Sequence, residues 1–353
     1  MKVKLSLALI LGSIIVTSTM LSPGLVFSAI GNDTNTNTSN TGIKNSTSLS
    51  GNWSKAITEQ NSDGKLNVQI IPFSNTSLKT VNGTLKVGSS LLPLTYKQTQ
   101  NGIGILDGDT FLAPEVTPGG RIAIDKFINS KPWTNGIIPF VINSDIPDKQ
   151  SILDAMAYVQ SVTPIKFKPV TVNPNGVITD VHYLRFLKAP ASADSCYTFS
   201  GMLPTSSPIF KNLYLDGKYH GQPVVVASWC HKPSLVHELG HDLGLWHEQK
   251  RCDRDQYINL IWSNIKKDAW DQYSNICDPS NPTKSPLSPW NYDYCSIMHY
   301  KKFSGFAVDQ TKPVFVIKKP VVGCQEKDIG HTEVYSPTDI RGIRAIYSFA
   351  HNN

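Results

Sequence analysis

The sequence predicts an α+β fold, because helical and extended patterns of apolar residues alternate along the chain. Apolar residues recur on one face of residues 148–162 and of residues 336–347, as they do in amphipathic helices. Residues 165–168 and 181–186 alternate between apolar and polar side chains, and residues 224–228 form an apolar run, which predicts three strands. A chain of 353 residues can bury a substantial core and contain more than one folding unit.

Residues 1–29 are predicted to be a secretory signal peptide. Two lysines precede an apolar run over residues 5–16, and small residues that suit cleavage follow it. A membrane anchor is the alternative, but serine, threonine and glycine make the run short and weak for a span. The rest of the sequence has no apolar run of spanning length, so no membrane association is expected after the signal is removed.

The composition and apolar pattern of residues 30–120 divide this segment into three parts. Residues 30–55 consist largely of Asn, Thr, Ser and Gly, which cannot bury enough apolar surface to order the chain, so disorder is expected. Residues 65–98 alternate in a way that predicts short strands. Two acids around a glycine at residues 106–109 are typical of a turn, and the Pro/Gly-rich residues 114–120 predict a linker.

Charge and cysteine content limit the classes of partner. The net charge is +6 and charged residues make up 17% of the chain, without a Lys/Arg cluster of the kind that nucleic acid requires, so no nucleic-acid partner is expected. All six cysteines lie between Cys196 and Cys324. An even number in an exported chain suggests disulfides, and the absence of a Cys-x-x-Cys pair argues against a cysteine metal site.

The strongest signal is a pair of histidines on a predicted helix. His237 and His241 are four residues apart, which on an α-helix is about 40° of rotation and about 6 Å of rise, so both imidazoles leave one face. Glu238 follows the first histidine, and Gly244 allows the helix to stop so that His247 returns from another direction. Three neutral imidazoles with a fourth position open form a catalytic zinc site.

Further motifs identify a family resemblance. The set spacing of His, Glu, His, Gly and His, with Met298 downstream, matches the metzincin pattern. Glu248 directly after the third histidine and Tyr300 two residues after Met298 make residues 122–350 resemble the astacin family of zinc endopeptidases. The resemblance implies a two-lobed metzincin (zincin-like) domain: a twisted, mostly parallel sheet and the zinc helix form the N-lobe, and an irregular C-lobe carries a C-terminal helix.

The resemblance also implies roles for individual residues. One Zn²⁺ ion per chain would be the cofactor, and Glu238 would act as general base. Tyr300 would be a fifth ligand that swings away to stabilise the reaction intermediate. The strand that begins at Cys196 and Tyr197 would pair with extended polypeptide substrates, which are the expected partners. The implied metal ligands are His237, His241, His247 and Tyr300.

The family also suggests one of the disulfides. Cys196–Cys230 matches a bridge common in the family, whereas cysteines for its second usual bridge are missing. The four remaining cysteines allow three pairings. Because the segments around Cys252 and Cys295 should both surround the zinc site, we expect Cys252–Cys295, which leaves Cys277–Cys324.

A prosegment at residues 30–121 is expected to keep a peptidase domain at residues 122–353 latent. Residues 106–109, Leu-Asp-Gly-Asp, are similar to the Phe-x-Gly-Asp sequence of astacin-like proenzymes, with Leu in place of Phe. Asp109 would then be the latency ligand that occupies the zinc. An activating protease would cut near residues 121–124, and the freed N-terminus would be buried near Glu248.

The sequence therefore predicts a secreted zinc endopeptidase made as a latent proenzyme. The alternative is a catalytically dead secreted binding or adhesion protein on a metzincin scaffold. A different zinc hydrolase, such as an amidase acting on cell-wall peptides, is a further alternative. The zinc-binding histidines and Glu238 are all present, which favours an enzyme.

Overall fold

A computed structural model describes the chain from residue 78 onward. The described residues are 78–87, 90–98, 104–116, 122–128, 131–189, 196–205, 214–215, 218–219, 221–281, 285 and 288–348. The predicted signal peptide, the Asn/Thr-rich tract and residue 121 of the expected activation site lie outside them. Within them, no helix is both long enough and apolar enough to cross a membrane.

The described chain combines many short strands with three α-helices. The helices are α1 (Lys149–Val162), α2 (Lys232–Asp242) and α3 (Pro337–Ser348). The strands are β1 (Lys79–Val87), β2 (Ser90–Gln98), β3 (Gly104–Leu106), β4 (Thr110–Val116), β5 (Ile122–Ile128), β6 (Ile137–Ile142), β7 (Lys166–Pro169), β8 (Leu184–Lys188), β9 (Thr198–Phe199), β10 (Tyr214–Leu215), β11 (Lys218–Tyr219), β12 (Gln222–Val226), β13 (Ile258–Leu260) and β14 (Phe315–Ile317). Strand β8 begins three residues later than the pattern at 181–186 predicts.

Strands β1–β4 of the predicted prosegment form a sheet with β5 and β9, which lie in the predicted peptidase domain. Its order is β3-β2-β1-β5-β4-β9, and an additional pairing between β3 and β4 closes the first five strands into a ring. Their inward side chains bury a small apolar core that includes Leu85, Leu92 and Tyr96. The expected linker at residues 114–120 is therefore wrong in part, because β4 continues through Val116 and pairs with β5.

A second sheet lies behind the two histidines of α2. Its order is β12-β8-β6-β7, and each of its three pairings is parallel. The continuous apolar run predicted as a buried strand is β12, all of whose residues are buried. Helices α1 and α2 pack against each other, and Asp148 caps α1 by accepting a hydrogen bond from the Ser151 amide. This confirms the mostly parallel sheet and zinc helix expected of the N-lobe.

The C-terminal half of the peptidase region is irregular, as predicted. It contains the antiparallel pair β13–β14 and a series of 3₁₀ helices: Glu248–Lys250, Arg254–Gln256, Trp262–Asn264, Lys267–Tyr273 and Glu326–Asp328. Helix α3 returns to the N-lobe core, where Ile343 and Tyr347 are buried.

Three disulfides join the six cysteines, and two of the expected pairings are wrong. Cys196–Cys230 is present as the resemblance implies. Cys252 pairs with Cys277, and Cys295 pairs with Cys324, instead of Cys252–Cys295 and Cys277–Cys324.

Local backbone contacts explain the corrected pairings. The Ile276 amide donates a 2.8 Å hydrogen bond to the Lys250 carbonyl, which places the next residue, Cys277, beside Cys252. The Sγ of Cys295 lies 3.3 Å from the Val322 carbonyl oxygen, close to Cys324. Segments that both approach the zinc site are thus held by separate bridges to their own loops.

Candidate metal centre and active-site cleft

Helix α2 and the turn after it bring three imidazoles together. Gly244 has φ +95°, a conformation that favours glycine, and its amide donates a 2.8 Å hydrogen bond to the His241 carbonyl. The chain therefore leaves the helix and brings His247 back toward His237 and His241. At Gly240 a Cβ atom would lie 2.9 Å from Met298 Sδ, so the methionine turn packs tightly under the helix. The histidine spacing and the downstream methionine thus act on one site.

Asp109 completes a four-residue cluster that could hold one metal ion. One possible ligand atom from each of Asp109, His237, His241 and His247 lies within 4.8 Å of the others. The Asp109 carboxylate oxygens are 3.3 Å from His247 Nε2 and 3.6 Å from the Nε2 atoms of His237 and His241. The sequence-predicted histidines and the predicted latency residue therefore converge.

Each ring is oriented by a contact at its other nitrogen. Nδ1 of His237 is 2.9 Å from the Ile297 carbonyl oxygen, and Nδ1 of His241 is 3.0 Å from that of Leu245. Nδ1 of His247 is 3.0 Å from Oδ2 of Asp107. With Nδ1 occupied as a donor, Nε2 is the nitrogen that faces the centre in all three rings, which is the usual arrangement around a protein-bound metal.

The donor set fits a zinc ion. Nε2 of His241 and Oε2 of Glu238 are buried without a hydrogen-bond partner among the described residues. Buried polar atoms without a partner are costly unless a cation or a water serves them. Three imidazoles and a carboxylate oxygen are ligands that zinc accepts.

Burial and neighbouring charges shift the pKa values of these groups in opposite directions. Burial lowers the pKa of His241 well below its ordinary value, so that imidazole is neutral and able to ligate. Burial opposes the charged form of His247 as well, but Asp109 and Asp107 outweigh it and raise its pKa to about 9. A metal ion bound there would have to displace that proton.

Glu238 is placed beside the cluster with a strongly perturbed carboxyl group. Burial first, and then the charges of Asp109 and Asp242, raise its pKa well above the ordinary value. Only 4% of the residue is exposed to solvent. A carboxylate that readily takes up a proton is suited to general acid–base chemistry.

Strand β4 occupies the edge strand that was predicted to bind substrate. Thr110 and Phe111 pair in parallel with Thr198 and Phe199 of β9. The ring of Tyr197 stacks on Phe111 with centroids 5.7 Å apart. Cys196 is tied to the entrance of α2 by its disulfide. In this form of the chain the predicted substrate strand is therefore covered by its own N-terminal segment.

Tyr300 is close to the histidines, but its hydroxyl contacts the predicted prosegment. Its ring centroid is 4.8 Å from that of His247. Its hydroxyl donates a 2.6 Å hydrogen bond to the Asp107 carbonyl and lies 2.9 Å from Oε1 of Gln272. The assignment of Tyr300 as a fifth ligand stays a prediction, because its hydroxyl is bound to Asp107 and Gln272 and the fourth residue of the cluster is Asp109.

The sequence analysis missed two charged residues of the site. Asp107 is 3% exposed and bridges His247 and Lys250, whose ammonium nitrogen lies 2.9 Å from Oδ1 of Asp107. Lys250 itself is fully buried. A lysine three residues after a metal-binding histidine gives no sequence signal of burial. Asp107 could have been noticed because it shares its turn with Asp109.

An acidic cavity lies behind the third histidine. Its volume is about 120 Å³, and Glu248, Asp293 and Asp339 are among the residues that line it. Burial raises the pKa of Glu248 to about 8, although Arg251 partly offsets this. Burial also raises the pKa of Asp339 to about 6. Three carboxyl groups therefore line this cavity together with one guanidinium group, that of Arg251, which lies 3.3 Å from Glu248 Oε1.

Comparison with known proteins gives consistent matches. The sequence model of the peptidase family Astacin matches residues 126–348. Zinc metalloproteinase nas-8 from Steinernema carpocapsae is 32% identical over 220 residues, covering 62% of this chain and 45% of that protein. Zinc metalloproteinase nas-13 from Caenorhabditis elegans is 30% identical over 223 residues, covering 61% of this chain and 41% of that protein. The chain thus spans less than half the length of these two relatives.

One solved structure also aligns with the chain. It is high choriolytic enzyme 1, a hatching enzyme zinc-protease from the medaka fish Oryzias latipes. The alignment has 23% identity and a TM-score of 0.45, and covers 62% of this chain and 94% of that one.

Proposed function

Because the chain belongs to the astacin family of peptidases, we propose that it is a secreted zinc endopeptidase that is made as a latent proenzyme. The observation that carries this proposal is the convergence of three histidines and Asp109 next to the buried carboxyl group of Glu238. The alternative of an inactive scaffold would require the loss of a ligand or of the base, and the site retains these groups.

His237, His241 and His247 would hold the metal through their Nε2 atoms. Bound zinc supplies a Lewis acid that polarises a carbonyl group and lowers the pKa of water to about 7. Glu238 takes the proton of the attacking water and returns it to the leaving amine, in keeping with its raised pKa. Tyr300 donates a hydrogen bond to the oxyanion of the tetrahedral intermediate once its hydroxyl is free of Asp107.

Latency would come from two obstructions by the same segment. The Asp109 carboxylate lies between the three imidazoles, where the water and the substrate carbonyl must bind. Strand β4 pairs in parallel with β9, and the Thr198 amide donates to the Asp109 carbonyl at 3.0 Å, so β4 covers the strand edge that an extended substrate would need. Removal of the segment opens both positions to a polypeptide.

Activation is proposed to follow a cut near residues 121–124. The new N-terminal ammonium would enter the acidic cavity and pair with Glu248. The raised pKa of Glu248 and of Asp339 supports this, because both carboxyl groups are buried with too little compensating charge. Three disulfides favour an oxidising compartment outside the cytosol, which agrees with secretion.

Hydrolysis of casein or gelatin by the trypsin-treated protein tests the function. Activity is expected to disappear with a chelator and to return when zinc is added. The untreated chain is expected to be much less active. Activity that a chelator does not affect would contradict zinc catalysis, and equal activity before and after processing would contradict latency.

A further inference from the structure

We propose that Asp107 is a second anchor of the prosegment, which fixes it to the peptidase through a buried ion pair with Lys250 and a hydrogen bond with His247. The proposal deepens the proposed function, on which it rests for the meaning of latency. Asp109 would occupy the position of the catalytic water at the metal, whereas Asp107 holds the segment that carries Asp109.

Asp107 is built into its turn in a way that directs its carboxylate inward. It follows β3 with φ +57°, a conformation that aspartate tolerates better than most residues. Its Oδ1 lies 2.9 Å from Lys250 Nζ, and its Oδ2 lies 3.0 Å from His247 Nδ1. Both oxygens of one buried side chain therefore contact peptidase residues.

The energy of this contact depends on burial. The Lys250 and His247 side chains have no exposed surface, and that of Asp107 is 2% exposed. Removing one partner while the other stays buried leaves an uncompensated charge in a low-dielectric environment, which costs far more than breaking a surface pair. Asp107 and His247 are 140 residues apart in sequence, so the contact forms only when the prosegment docks.

A second ion pair crosses the same interface with the charges exchanged, because here the prosegment supplies the lysine. Lys97 of β2 lies 3.5 Å from Oδ1 of Asp271, and its ammonium donates a 2.8 Å hydrogen bond to the Asp268 carbonyl. Lys250 donates a 2.6 Å hydrogen bond to the Asp271 carbonyl. The prosegment thus contributes a carboxylate to a peptidase lysine and a lysine to a peptidase carboxylate.

These reciprocal pairs have a consequence for release. If the prosegment leaves, Lys250 and Asp271 both lose their partners from β1–β4 at once. In the docked state, charges that lie outside the four-residue metal cluster are therefore paired across the interface. Docking by Asp107 and Lys250 does not require zinc, which separates this anchor from the role of Asp109.

The anchor is tested on the full-length chain after zinc removal with a chelator. Asp107→Asn keeps the turn conformation but removes the charge, and Lys250→Met removes the ammonium while keeping the apolar stem. Each variant should lower the melting temperature by on the order of 10 °C, because each leaves one buried charge alone. The melting temperature of the double variant should fall by clearly less than the sum of the two single decreases.

Glu326→Gln is the matched control, since it breaks an exposed ion pair with Lys302. That control should change the melting temperature by no more than about 1 °C. Additive losses in the double variant, or single losses as small as that of the control, would overturn the anchor. If a single variant does not fold, the double variant, which removes both charges of the Asp107–Lys250 pair, is compared with the unaltered chain, and its failure to fold would also contradict the coupling.

Hydrogen exchange gives a second readout that local damage elsewhere would not reproduce. Amides of residues 104–116 should exchange at least about tenfold faster in Asp107→Asn, while those of α1 stay unchanged. Because the measurement uses chelated protein, it does not depend on peptidase activity. If the Asp107 and Lys250 variants are non-additive but the processed protein does not hydrolyse casein, the anchor stands and the proposed function is contradicted. If the processed protein hydrolyses casein but the two variants are additive, the function stands and the anchor is contradicted.

Discussion

Thr198 Oγ1 donates a 2.7 Å hydrogen bond to Oδ1 of Asp242, and the two residues join the strand in the cleft to the end of the histidine helix. Gln222 extends the contact, since its Nε2 donates to the same oxygen at 3.1 Å and to the Gly201 carbonyl at 2.9 Å. Thr198, Gln222 and Asp242 are all buried. The position of β9 relative to α2 is therefore fixed by a buried polar network as well as by the Cys196–Cys230 disulfide.

Thr198→Val should destabilise the protein by about 1–3 kcal/mol, because it removes a donor to a buried carboxyl group. Denaturant unfolding measures the loss. Thr95→Val is the control, since the Thr95 hydroxyl makes an exposed hydrogen bond to Asn82. Equal changes in the two variants would show that the Thr198–Asp242 contact has no special weight.

Glu238→Ala should fold and bind zinc, but lose about 10²–10⁴-fold in peptidase activity. The physical reason is that the variant lacks the group that takes the proton from water. Casein hydrolysis after processing, together with the zinc content of the purified protein, checks both halves of the expectation. The exposed Glu326→Ala serves as control, and near-normal turnover by Glu238→Ala would refute the assignment of the base.

Asp109→Ala in the unprocessed chain should raise premature activity, because the carboxylate between the imidazoles is removed. The comparison is casein hydrolysis before any proteolytic treatment, with the intact chain verified by mass. Asp154→Ala, which changes an exposed aspartate of α1, should leave latency as it is. Unchanged latency in Asp109→Ala would mean that the other contacts of the segment, and not the Asp109 carboxylate, keep the chain inactive.

Asp339 should make stability depend on pH between about 4 and about 6. Burial raises its pKa from 3.8 to about 6, so the native protein binds more protons than the unfolded chain in this range. The free energy of unfolding therefore falls as pH rises, by up to about 3 kcal/mol from this group. In Asp339→Asn this decrease is absent, although lost hydrogen bonds lower stability at every pH.

Melting temperatures of both proteins at several pH values test that expectation. The difference between them should shrink as pH rises from 4 to 6 and then stay constant. Two parallel curves would show that Asp339 does not titrate in this range.

Removing the Cys252–Cys277 bridge should cost about 3 kcal/mol, as expected for a loop of this size. The double variant Cys252→Ser/Cys277→Ser leaves no free thiol at the site, and denaturant unfolding reports the loss. Peptide mapping without reduction provides the direct check of connectivity. A peptide that links Cys252 to Cys295 would restore the pairing predicted from sequence and refute the structure on this point.

The zinc helix and the methionine turn could be predicted because their signals are local. His237 and His241 are four residues apart, and their common face follows from helical geometry. The buried strand β12 was predicted from a continuous apolar run, and the α3 pattern from its periodicity. In each case residues close together in the sequence determine which secondary structure forms.

Contacts between distant segments could not be predicted in the same way. The cysteine pairings failed because proximity to a common site does not specify which loop returns to which, and a backbone hydrogen bond from Ile276 to Lys250 decides it. The linker assignment failed for residues 114–116 because proline and glycine content does not show that a neighbouring strand is available for pairing.

By itself, the amino-acid sequence determined the α+β class, which follows from local apolar patterns along the chain. It also determined the candidate imidazole ligand set and the position of Glu238, since these depend on spacing along one helix and the turn after it. Only the tertiary structure brought Asp107 and Lys250 together, laid β4 against β9 and enclosed the acidic cavity at Glu248. Such relationships arise when segments far apart in the sequence share one buried volume, and burial is what makes their charges matter.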